Sequence, residues 1–148
     1  MKRILLTLAV VTGTAGAGEF SSSPGTVVRS FIADYASWNA NSVKRGFSLK
    51  ALEESEKEYE SLIAKYCRPK FKHQAVSYGD HSMHEVESEV ILSVEAQGDK
   101  ALVRTRHTRK HPKGEFISNF EYHLSKYQSR WYLESVQYVD NEGKYEGL

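Results

Sequence analysis

The chain has 148 residues, enough for one domain with a substantial core. Its 20 Lys+Arg against 19 Asp+Glu leave no charge excess to draw it to nucleic acid, and 40% hydrophobic content argues against general disorder. One cysteine, Cys67, excludes an internal disulfide, and a zinc site would need other ligand types.

Residues 1–17 have the layout of a secretory signal peptide. Lys2 and Arg3 precede an apolar run from Ile4 to Val11, and small residues end in Ala15-Gly16-Ala17. The run is too short to span a bilayer. No cysteine follows the cleavage site to carry a lipid, so no membrane anchoring is expected after signal removal. Export to the periplasm or medium follows if the signal is real, and a cytoplasmic protein if it is not. Residues 18–23 read as a linker, and 24–148 as the domain.

Ser23-Pro24 has the cap and first-turn residues of a helix start. Val27, Val28, Phe31, Tyr35 and Trp38 follow at helical spacing, while Asn39, Asn41 and Gly46 are expected to end the helix in a loop. Asp34 falls beside that stripe and is expected to face water. A second helix is expected from the cap Ser48 to about Cys67, with Leu49, Leu52, Tyr59, Leu62, Ile63 and Tyr66 inward and Glu53, Glu54, Lys57, Glu58 and Glu60 outward. Pro69 stops it.

Residues 70–86 carry no clear period. Phe71, Val76 and Tyr78 could form a short edge strand, and His73, His81 and His84 read as part of a solvated loop rather than a metal site. No metal or other cofactor is expected.

From Glu87 to Asp140 four antiparallel strands are expected, turning at Gly98-Asp99, at 111–114 and at 127–130. The register that keeps apolar residues together pairs Val94 with Val103, Leu92 with Thr105, Val90 with His107, Val103 with Tyr122 and Arg104 with Glu121. It puts Val90, Leu92, Val94, Ala96, Ala101, Val103, Phe120, Tyr122, Leu124 and Leu133 inside. Ser93, Glu95, Arg104, Arg106, Asn119, Glu121, His123 and Glu134 fall outside. Helices followed by a meander define an α+β domain. Thr105, His107, Ser118 and Gln137 make one polar corner of the inner face, which reads either as strand ends leaving the core or as the mouth of a small-molecule site. For the second reading the pocket residues are His107, Ser118, Tyr122 and Gln137. The basic residues Arg104, Arg106, Arg109, Lys110 and Lys113 have Glu87, Glu89, Glu95, Glu115 and Glu121 as expected neighbours, so nucleic acid is not expected.

The order of elements, the helix end Lys65-Tyr66-Cys67-Arg68-Pro69-Lys70, the stretch Val27 to Phe31 with Trp38, and the closing hairpin Tyr122 to Ser135 with Trp131 resemble the bacterial immunity-protein branch of the nuclear-transport-factor-2-like fold. The likeness covers about residues 24 to 140. It implies a cone formed by a curved sheet around a long helix, and neutralisation of a cognate toxin by steric occlusion without catalysis. The signal-like start departs from most members. Arg104, Arg106, Glu121 and His123 on the outer sheet face are the first candidates to meet the toxin, since mixed charges favour specific and fast association. Glu53 and Glu54 on the second helix are next. The alternative is a small-ligand binder, or an isomerase- or dehydratase-like enzyme, using the cone interior. Homodimerisation through the sheet stays open.

Overall fold

The computed structural model describes residues 22–148; the signal-like segment 1–17 and most of the expected linker 18–23 lie outside the described residues. Two helices, α1 (Pro24–Arg45) and α2 (Leu49–Tyr66), precede five strands: β1 (Glu89–Gln97), β2 (Lys100–His111), β3 (Gly114–Tyr127), β4 (Arg130–Val139) and β5 (Lys144–Glu146). The strands form one antiparallel sheet in chain order, with helix α1 packed against it and α2 packed on α1, an α+β architecture. The expected four-strand meander thus gains a short fifth strand beside β4, and no strand forms over Phe71, Val76 or Tyr78.

Both helices start where expected. The Ser23 hydroxyl accepts from the Thr26 amide and the Ser48 hydroxyl from the Ala51 amide, satisfying N–H groups that have no intrahelical acceptor. α1 runs past Asn39 and Asn41 to Arg45, where Gly46 caps it at φ +95°. Asn39 is helical because its side chain is used elsewhere: Nδ2 donates to the Gly79 carbonyl at 2.8 Å and Oδ1 accepts from the Gly79 amide at 3.2 Å. This clamp ties the irregular segment 70–86 to the helix.

On α2 the inward face is rotated from the expected one. Leu49 and Leu52 are exposed, while Ala51 and Ser55 are buried beside Tyr59, Leu62, Ile63 and Tyr66. Small residues let α2 approach α1 here. The Trp38 indole donates to the Ser55 carbonyl at 2.9 Å, and Arg45 reaches the Ser55 hydroxyl, Glu54 and Glu58. Asp34 does not simply face water, since it accepts from Lys65 and from the Tyr66 hydroxyl, both at 2.6 Å.

The β2–β3 register is as expected, with Val103 opposite Tyr122, Arg104 opposite Glu121 and Thr105 opposite Phe120. Turns of two residues close the first three hairpins and a four-residue turn the last; Gln128 and Ser129 both take positive φ, which matches the twist of the strands they join. β1 differs. Val94 faces Val103 and Ala96 faces Ala101, but a bulge at Leu92 shifts the rest by one residue, so Ile91 meets Thr105 and Glu89 meets His107. Val90 and Leu92 are therefore exposed rather than inside, Val94 is also exposed, and Ile91 and Glu89 turn inward. The start of α1 lies close on this strand: a Cβ on Gly25 would sit 3.3 Å from Val94 Cγ2.

The core lies between α1 and the sheet. Phe31 is at its centre, in edge contact with Tyr66, Tyr122 and His84, and is surrounded by Val28, Tyr35, Val103, Leu124, Leu133 and Val136. Burial of these side chains, at roughly 25 cal/mol per Å² of apolar surface, is the main stabilising contribution. Cys67 belongs to this core, and burial pushes its thiol up to about 12, which makes it a poor nucleophile.

Candidate functional site

Three polar regions surround the core: a buried cluster, a cavity beside it, and the outer face of the sheet.

The buried cluster is built by the β1 bulge. Glu89, turned inward, accepts from Thr105 Oγ1 at 2.5 Å and from the Tyr122 hydroxyl at 2.6 Å, both at Oε1. Its Oε2 lies 2.8 Å from His84 Nδ1, which is also 2.9 Å from the Tyr122 oxygen. Burial alone would raise the Glu89 pKa. The His84 contact and the two hydroxyl donors outweigh it and hold the carboxyl below its ordinary value. Tyr122, fully buried and next to that carboxylate, is pushed well above its ordinary value and stays a donor. The His84 ring sits among Tyr35, Phe31 and Phe120, and its Nε2 is buried without a hydrogen-bond partner.

This cluster corrects three expectations. His84 is not in a solvated loop but is completely buried. Glu89 is no outer neighbour of the basic residues but a carboxylate on the inner sheet face. Tyr122 is no free pocket hydroxyl, because its oxygen is committed to Glu89 and His84. A signal for the missing acid was present in the sequence: Thr105 and Tyr122, polar groups on inward positions of adjacent strands, need a buried acceptor.

The cavity, of about 410 Å³, opens between Asn39 of α1, residues 77–83, and the β2–β3 strands. His107 and Ser118, opposite each other in the ladder, line it as expected of the polar corner. Gln137 does not: it pairs with Glu121 in register and donates to Glu146 at 2.7 Å on the opposite face. Arg109, Phe116, Phe120 and Tyr138 complete the strand side of the wall. Among the described residues no group of three or more His, Cys, Asp or Glu is placed to hold a metal ion.

The outer face centres on Glu121. Its Oε1 accepts from Arg104 Nε at 3.2 Å and its Oε2 from Lys144 Nζ at 2.6 Å, with His123 Nε2 3.5 Å away. Burial alone would raise the Glu121 pKa, but Lys144 and Arg104 outweigh it and lower it. Arg104 also reaches Glu95 at 2.5 Å, and Arg106 Nε reaches Asn119 at 3.4 Å. On β5, Glu146 accepts from Ser135 and Gln137. The structure thus brings Arg104, Glu121 and His123 into one network, with Arg106 beside it. Exposed Val90, opposite Arg106, and Ile117, two residues from Asn119, add apolar area to the same face. Glu53 and Glu54 are elsewhere, exposed on α2, and Glu54 is engaged by Arg45 and Lys50.

No family model, no curated protein and no solved structure matches the chain.

Proposed function

We propose that this protein binds a partner protein through the outer face of its sheet, and that the partner is a bacterial toxin which it neutralises by covering it. The observation that supports this most is the Glu121 network. Arg104, Lys144 and His123 are gathered around Glu121, Arg104 also reaches Glu95, and Glu146 is held by Ser135 and Gln137 on the same sheet, with Val90 and Ile117 exposed beside them. A rigid surface of both charge signs with some apolar area loses little conformational entropy on binding and selects its partner by complementarity. The resemblance around Lys65 to Lys70 to immunity proteins of the nuclear-transport-factor-2-like fold supplies the kind of partner.

In this reading the buried Glu89 cluster is structural. Glu89, His84 and Tyr122 are buried and bonded to one another, and His107 and Ser118 line a cavity that has no Asp or Glu among its lining residues to act as a carboxylate base. If residues 1–17 direct export, the toxin acts outside the cytoplasm. The reading predicts that a neighbouring gene encodes a toxin, and the test is co-expression with it, with the protein in the compartment that toxin attacks. Growth should be restored by the wild type and lost again with Arg104→Glu combined with Arg106→Glu. Unrelieved killing in the presence of folded wild-type protein would refute the proposal.

A further inference from the structure

The cavity beside His107 has a composition that the partner-binding role does not use. No Asp or Glu is among the residues lining it, while Arg109, His107 and His81 are. Arg109 lies on the inward side of β2, half-buried, with its guanidinium 5.3 Å from the centre of the Phe116 ring, and it makes no ion pair among the described residues. Among the described strand cations, Arg104 is paired with Glu95 and Glu121 and Lys144 with Glu121, all on the outer face, whereas Arg109 is on the side that faces the cavity. His107 is 5% exposed, and its Nε2 has no hydrogen-bond partner; the nearest carboxylate oxygen, on Glu85, is 3.5 Å away.

The rest of the wall is aromatic. Phe120 and Tyr35 form the floor, Tyr138 flanks Phe120 with ring centres 5.9 Å apart, and Phe116 is exposed at the rim. The Asn39–Gly79 clamp fixes the opposite wall, pairing the Asn39 side-chain amide with both backbone groups of Gly79. A volume of about 410 Å³ is within the range of small-ligand sites, where apolar walls supply burial and a few polar groups supply orientation. Here the polar groups are cationic or hydroxylic.

We infer that this cavity binds a small monocarboxylate with a flat aromatic body, its carboxylate paired with Arg109 and its ring held among Phe116, Phe120 and Tyr138. Arg109 has the planar fork that suits a carboxylate, and Phe116 holds one face of that fork. The Ser118 hydroxyl, on the strand between the two groups of contacts, is available as a further donor. This site is on the inner face of the sheet and does not depend on the identity of any protein partner.

The test is NMR titration of the full-length, ¹⁵N-labelled protein with phenylacetate and 3-phenylpropionate, using phenylacetamide as the uncharged match. Saturable shifts should concentrate at His107, Arg109, Phe116, Ser118 and Tyr138, with the amide binding much more weakly. Arg109→Gln should weaken the carboxylates about tenfold, the loss expected for one charge-assisted hydrogen bond, and leave the amide unaffected. Phe116→Ala, at an exposed rim position, should weaken acids and amide alike while the protein stays folded. Absent saturation at millimolar ligand, shifts spread over the surface, or equal binding of acid and amide would each overturn the inference.

Discussion

Two glutamates on neighbouring parts of one sheet are both held ionised, by opposite means. Glu89 is buried and has one histidine and two hydroxyl donors around it; Glu121, itself only 8% exposed, lies on the outer face beneath Arg104 and Lys144, which are open to water, with His123 near by. The first is shielded from solvent and makes the fold depend on every member of its cluster. The second is open to water on its cationic side, where salt screens it and a partner can compete for its charges. In the proposed reading the interior cluster serves the fold and the outer network meets the partner.

The largest effect should come from breaking the interior side of that comparison. Glu89→Ala leaves Thr105, Tyr122 and His84 without their shared acceptor, and removing one member of a buried charged cluster costs about 3 to 5 kcal/mol. Urea unfolding at neutral pH measures it. A loss under about 1 kcal/mol would mean that the cluster is not a structural centre.

Acidity separates the two regions less sharply but has a definite sign. The folded pKa of Glu89 is depressed from 4.5, so its contribution is complete above that value and is lost as pH falls through the folded pKa. Glu121 and Asp34 are also lowered and act in the same direction. Tyr122 is raised from 10.0, so its contribution is complete below 10.0 and is lost as pH rises beyond it. Unfolding midpoints should fall on both sides, and Glu89→Gln should flatten the acid side. An unchanged acid slope in that variant would assign the pH dependence to the surface carboxylates.

The smallest effect belongs to the outer network. Glu121→Ala should cost about 1 kcal/mol or less, because water and salt replace much of what its cations lose. Raising salt should narrow the gap between this variant and the wild type and leave that of Glu89→Ala nearly intact. Urea midpoints at low and high salt check both.

These two regions were also unequally legible in the sequence. Ala101, Val103, Phe120, Tyr122 and Leu124 alternate cleanly with polar residues, so one register of β2 and β3 buries the apolar set and the Arg104–Glu121 pair follows from it. β1 has Val90, Ile91 and Leu92 in a row, and such a run does not reveal which parity faces inward. The choice is made by Glu89, drawn in by hydroxyls on β2 and β3, with the bulge at Leu92 restoring the pairing beyond it. His84 lies in a segment with no period, and its burial depends on partners that are distant in sequence, Tyr122 above all. On α2, small buried residues at 51 and 55 carried the packing instead of Leu49 and Leu52, because close helix approach favours small side chains over large ones. The cavity was half visible: His107 and Ser118 follow from strand parity, whereas Gln137 fell on the wrong face because the β3–β4 ladder shifts between His123 and Leu124.

The central claim is that recognition belongs to the outer face and stability to the interior. Calorimetric titration against the partner proposed above, a toxin to be sought in the neighbouring gene, tests it most directly. Arg104→Glu with Arg106→Glu should weaken binding at least about tenfold, as reversal of charges at a complementary interface does. Glu89→Gln, measured at a temperature where it is folded, should bind as the wild type does. Undiminished binding by the doubly reversed variant, or selective loss in folded Glu89→Gln, would contradict the account.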